Sequence, residues 1–169
     1  SGTLAEPHDN DFLNGRLTVR GRIGSADLVS VTSWTWHEVD TTLDASPSAG
    51  RFGLSAPVLF EDNRVYTVRN QEVRLSGGDR FRWMAGLSYV WASTELTAEV
   101  APQSGNSLIV GRLHQINTER AVFGELSAPL MQDFRIDVGA RLFRASVDDE
   151  LESAGSTVSH VERRTSVSP

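Results

Sequence analysis

The residues able to do chemistry are few in kind. The chain has no cysteine, and its sixteen basic residues are all arginine. Disulfides, cysteine-ligated zinc and thiol nucleophiles are excluded, as are Schiff-base chemistry and a phosphate-cradling P-loop lysine. His8, His37, His114 and His160 include no HxH or HxxxH pair, so their spacing supports no metal site. His160-Val161-Glu162 places a His and a Glu on one side of an extended chain and reads as a solvated loop edge. Asp148-Asp149-Glu150-Leu151-Glu152 lacks the Asp-x-Asp-x-Asp-Gly order of a calcium loop and reads as a solvated strand end. There is no Gly-x-Ser-x-Gly elbow. Gly21-Arg22-Ile23-Gly24 precedes no helix, so it is no dinucleotide loop. Without a convergent acid, base and nucleophile set, neither an enzyme nor a resident cofactor or metal is expected.

What remains is aromatic and cationic. Trp34, Trp36, Trp83 and Trp91 can stack on a ligand such as a sugar, or anchor in lipid headgroups. Arg16, Arg20, Arg74, Arg82 and Arg141 can steer an anionic ligand, or pair across strands with Glu72, Glu125 and Asp137. The candidate ligand contacts are Trp34, Trp36, Arg74, Arg82 and Arg141. With 169 residues, 39% hydrophobic content, a net charge of −6 and no basic run, one domain-sized unit and no nucleic-acid partner are expected. No apolar run approaches the ~20 residues of a spanning helix. The chain opens Ser1-Gly2-Thr3-Leu4, without an initiator Met, and stops at Ser168-Pro169, which suggests a fragment of something longer.

The elements that position these residues announce themselves by a period of two. In residues 12–23, Leu13, Leu17, Val19 and Ile23 share one parity, while Asn14, Arg16, Thr18, Arg20 and Arg22 hold the other. Further extended runs are expected at 28–41, 64–76, 81–98, 117–128, 134–149 and from 161 onward. The faces of 28–41 are ambiguous, because Trp34 and Trp36 share parity with Ser30 and Thr32. The run at 81–98 is the clearest: Phe81, Trp83, Ala85, Leu87, Tyr89 and Trp91 alternate with smaller, partly polar residues. Turn chemistry at Gly24-Ser25 and Gly77-Gly78-Asp79 gives short connections, whereas 42–63, 99–116 and 150–161 read as long loops, with 1–11 as another.

Short turns at one end and long loops at the other, with no helix, are the pattern of an all-β, antiparallel, up-and-down transmembrane β-barrel. A soluble β-sandwich also alternates. Three features favour the barrel. The runs are longer than the ~5–6 residues of soluble strands. Phe81 with Trp83, and Tyr89 with Trp91, bracket a stretch of ten steps; at ~3.3 Å each and ~40° tilt it projects to roughly 25 Å, the height of a barrel's apolar band. Phe134 joins these four as a girdle residue. The opposite parity carries the charges that suit a wet lumen. Six to seven strands cannot close a bacterial barrel, so residues 1–169 read as a partial barrel domain.

Several stretches resemble the barrel of TonB-dependent outer-membrane receptors. They are Leu28-Val29-Ser30-Val31-Thr32-Ser33-Trp34, Gln71-Glu72-Val73-Arg74-Leu75-Ser76, Arg82-Trp83-Met84-Ala85-Gly86-Leu87-Ser88-Tyr89, Ala121-Val122-Phe123-Gly124-Glu125 with Val138-Gly139-Ala140-Arg141, and Val167-Ser168-Pro169. The resemblance covers most of 12–169, in order. It implies a 22-stranded barrel with an N-terminal plug, powered through TonB, that imports a scarce nutrient such as a ferric siderophore, cobalamin or glycan. The plug, the TonB box and the terminal strand have no counterpart here, so the resemblance implies a mid-barrel segment facing outer-membrane lipid. A passive porin-like channel and a soluble β-sandwich binding module are the alternatives.

Overall fold

A computed structural model describes residues 4–131, 134–153 and 156–168. The alternating runs form seven strands: β1 (His8–Ile23), β2 (Ala26–Asp44), β3 (Val58–Gly77), β4 (Arg82–Pro102), β5 (Leu108–Met131), β6 (Phe134–Ser153) and β7 (Ser156–Ser168). They make one antiparallel sheet in chain order, each strand bonded to its sequence neighbours. Val, Thr, Ile and aromatic residues favour this pleated surface, and Gly24 takes a left-handed conformation in the two-residue turn between β1 and β2.

All seven expected runs are present, but they are longer than the sequence pattern suggests. The growth is mainly at the ends remote from the short turns. The expected loop 42–63 shrinks to 45–57, which holds a 3-10 turn (Ser46–Phe52). The expected loop 99–116 shrinks to 103–107, and most of 150–161 is strand, with 154–155 outside the described residues. Residues 8–11, expected in a loop, pair with Glu38–Thr41. Ladder hydrogen bonds carry the strands past the apolar stretch, so loss of alternation does not mark their ends. Gly and Pro are absorbed at irregularities: the register shifts at Ala98/Glu99, facing Gly111, and again at Pro129/Met131.

Register sorts the side chains onto two faces. Val19, Ser30, Val73, Leu87, Val122, Leu142 and Val167 are successive cross-strand partners in one row. One residue along, the row is Arg20, Val29, Arg74, Gly86, Phe123 and Arg141, on the other face. We call these the apolar and polar faces. Among the described residues no second sheet covers the apolar one: Leu17 is 63% exposed, Leu87 62% and Val138 62%. Where polar groups fall inside that face they satisfy each other. Gln71 donates to Ser30 Oγ at 2.9 Å and accepts from Thr32 Oγ1.

The buried cluster lies elsewhere. The 3-10 turn folds over the loop-end of the polar face, where Ala49, Val58 and Val100 are buried against Phe52, Leu54, Phe60 and Val110. Lower on that face, Phe123 lies across Gly86. A Cβ at Gly86 would meet the ring at 2.4 Å, whereas one at Gly21 would meet nothing within 4 Å. Gly86→Ala in the full-length protein is therefore expected to lower barrel stability by about 1–3 kcal/mol, and Gly21→Ala to leave it within about 0.5 kcal/mol. Thermal loss of heat-modifiable gel mobility checks this; equal effects of the two would refute the close packing.

Candidate functional site

The polar face collects the groups able to hold a solute. Near its loop-end, the inward side chains of two adjacent strands line a groove of about 550 Å³: His37, Val39, Thr41 and Leu43 from β2, and Phe60, Asp62, Arg64 and Tyr66 from β3. They share a face because His37 pairs with Tyr66 and Leu43 with Phe60. An aromatic floor runs through it. The His37 and Tyr66 rings stack at 5.7 Å, and Phe12 of β1 meets His37 edge-on at 5.8 Å. His37 Nε2 donates to Asn10 Oδ1 at 2.8 Å, which holds the ring in place. Arg64 grips Asp62 through two bonds, of 2.6 and 2.9 Å. The groove thus offers flat apolar surface beside a carboxylate-neutralised cation. It can bind and orient. No pair of groups here is placed as nucleophile and base.

A second centre is Arg141 on β6. Its guanidinium lies 5.8 Å from the Phe123 ring centre and donates to Ser88 Oγ at 3.2 Å and to Glu119. It thereby ties β6 to β5 and, across Phe123, to β4. Arg74 and Arg82 are on the same face. Arg74 contacts Glu72, two residues away on its own strand, at 3.7 Å, and Arg82 lines a depression with Met84, Glu125, Arg135 and Asp137. Cross-strand pairing of the arginines with Glu72, Glu125 and Asp137 is not what forms. Arg141 takes Glu119 instead, and Arg16, Arg20 and Arg82 have no ion pair among the described residues. The reason is register: Asp137 faces Ser127, and Glu125 faces Met84 and Gly139.

Trp34 and Trp36 fall on the apolar face, level with Arg69 and Thr67 of β3. The five candidate contacts therefore do not share a surface: three are on one face and two on the other. Four of the expected girdle residues, by contrast, take the parity of the apolar face. Trp83 is near the β3–β4 turn, Tyr89 and Trp91 six and eight residues up the strand, and Phe134 at the start of β6, while Phe81 lies in the turn itself, just before β4. Arg69 lies over Trp91 at 5.2 Å and Arg120 over Tyr89 at 5.7 Å. The groove escapes the sequence pattern because His37, its central ring, lies on β2, whose faces are unreadable until paired with β3; only that pairing and the one with β1 bring Tyr66 and Phe12 to it. Among the described residues no group of three His, Asp or Glu is placed to hold a metal ion, and no helix is long and apolar enough to cross a membrane.

No family model matches the sequence, and no curated protein matches it. Solved structures do share the fold. The ferric yersiniabactin uptake receptor FyuA from Yersinia pestis matches 99% of this chain with a TM-score of 0.64 at 12% identity, and the match covers 26% of that chain. The copper transporter OprC matches 94% with a TM-score of 0.60 at 13% identity, over 26% of its length. The ferric citrate transporter FecA, in its unliganded form, matches 94% with a TM-score of 0.57 at 10% identity, over 24% of its length. All three are TonB-dependent receptors. The chain thus has the fold of about a quarter of such proteins.

The Arg141 junction yields a test. A double-mutant cycle of Arg141→Met and Glu119→Gln in the full-length protein is expected to give a coupling of about 0.5–1 kcal/mol, because both side chains are only partly exposed. The same cycle at Arg22 and Asp27, 72% and 62% exposed, is expected near zero. Equal couplings in denaturant melts would count against a structural role for Arg141.

Proposed function

We propose that this chain is a wall segment of a TonB-dependent receptor in a Gram-negative outer membrane, and that the whole receptor imports a scarce nutrient such as an iron–siderophore complex. The observation that carries the reading is the division of one sheet into an exposed apolar face and a charged opposite face, on a fold shared with FyuA, OprC and FecA. On this reading the apolar face meets hydrocarbon, with Phe81, Trp83, Tyr89, Trp91 and Phe134 at its two borders. The polar face lines the lumen and borders a plug contributed by other residues. Closure by further strands satisfies the open edges of β1 and β7, which could not face lipid unpaired. The segment's part in transport is passive and non-enzymatic. Its loop-end groove adds stacking surface and an arginine to the route of an oxygen-rich ligand, and coupling to TonB runs through the plug region. Ferric siderophores, cobalamin and glycans all meet that chemistry.

Two measurements test this. A cysteine at Gly105, at the loop end, is expected to react with an impermeant thiol reagent on intact cells, and one at Gly78, in the β3–β4 turn, is expected not to; the reverse pattern defeats the orientation. In planar bilayers the purified full-length protein is expected to stay closed, as a plugged receptor does. A large, steady conductance would instead establish the porin alternative.

A further inference from the structure

Going toward the loop end, the apolar rows of this face give way first to rows that carry arginines. Tyr89, Arg120, Arg144 and Thr165 are successive cross-strand partners, and the next row is Arg69, Trp91, Thr118, Ser146 and Arg163. Below these two rows lies the apolar row of Leu87, Val122, Leu142 and Val167. Arg144 stands ten residues along β6 from Phe134, about 33 Å of strand or roughly 25 Å of tilted height, and Tyr89 and Trp91 of β4 belong to the same two rows. The arginines are thus level with the upper aromatic border.

Their arrangement is unfavourable as it stands. Arg120 and Arg144 are directly opposed, and like charges so placed repel. Arg163 joins them from β7, and the three line one groove of about 430 Å³ with Thr118, Ser146 and Asp148. None of the three arginines has an ion pair among the described residues, and Asp148 pairs with none of them. Arg120 is held from the side by Tyr89. Three guanidinium forks and two hydroxyls around an open groove match the oxygens of a phosphate group, which accepts paired N–H donors and cancels the repulsion.

We infer that this groove docks a phosphate group carried by a lipid of the outer leaflet, an inference that rests on the membrane reading proposed above. The apolar row immediately beneath decides for a lipid-borne phosphate over a free one, because acyl chains attached to the phosphate would lie along Val122, Leu142 and Val167. The site is on the face opposite the loop-end groove, so it serves anchoring and seating of the barrel wall and not the imported solute.

The test uses the full-length protein, delipidated in detergent. It is titrated with lipid A bearing its phosphates, with the same lipid after phosphatase treatment, and with inorganic phosphate. The phosphorylated lipid is expected to bind about 100-fold more tightly than the dephosphorylated one. Combined Arg120→Gln, Arg144→Gln and Arg163→Gln is expected to remove that preference, while Arg144→Gln alone reduces it about fivefold. Arg20→Gln, on the opposite face, is expected to change nothing. Equal binding of both lipids, or an unaffected triple variant, overturns the inference; inorganic phosphate competing as well as the lipid overturns the lipid source. Should the triple variant fail to assemble, the single variant decides alone. Outer-membrane fractionation of the wild type separates the outcomes, since absence from that fraction sinks the receptor reading itself.

Discussion

The antiparallel hydrogen-bond ladder is the constraint on which everything else here depends. Among the described residues only Ala49, Ala98, Val58, Val100 and Ala121 are buried apolar residues, so packing of a central core does not define this structure. Its order comes from strands of 13 to 24 residues held in register with their neighbours. In such a ladder a slip of one residue exchanges the two faces completely. The alternation of Leu17, Val19 and Ile23 with Arg16, Arg20 and Arg22 makes that slip costly, because it would trade apolar side chains for guanidinium groups along a whole strand.

From that constraint the two surfaces acquire different chemistry. The polar face can afford side chains that reach over one another: Phe123 lies across Gly86, and Arg141 lies beside Phe123 to reach Ser88 and Glu119. Along its apolar rows the other face keeps its polar groups mutually satisfied, as with Ser30, Thr32 and Gln71; beyond the arginines beside Tyr89 and Trp91 it turns polar toward the loop end, as at Glu38, Glu95, His114 and Glu150. Such a division keeps unpartnered polar groups away from the apolar rows, where they would be costly.

Likeness of fold at 10–13% identity is intelligible on the same terms. Pairing is made by backbone groups, which every residue but proline supplies in full, and the faces need only the right class of side chain at each parity. Many sequences meet that specification. The identity of a transported ligand, by contrast, rests on particular groups on loops and lumen. A shared fold therefore carries the architecture without carrying a ligand's identity.

Strand number, order and the faces of β1, β3, β4 and β6 were legible in the sequence, because apolar alternation at a period of two has one structural meaning over such lengths. Seven runs were readable, and seven strands stand there. Tertiary structure decided what alternation does not encode. Strands run on past the apolar stretch to Pro102 and back from Leu108, because ladder bonds need no hydrophobic pattern. β2 shows its faces only through its partner, which sends Trp34 and Trp36 to the apolar side and His37 onto Tyr66. The opposition of Arg120 and Arg144, twenty-four positions apart in the chain, is likewise a product of register. Local sequence sets which side of a ribbon a residue takes, but only the pairing of ribbons sets what it will face.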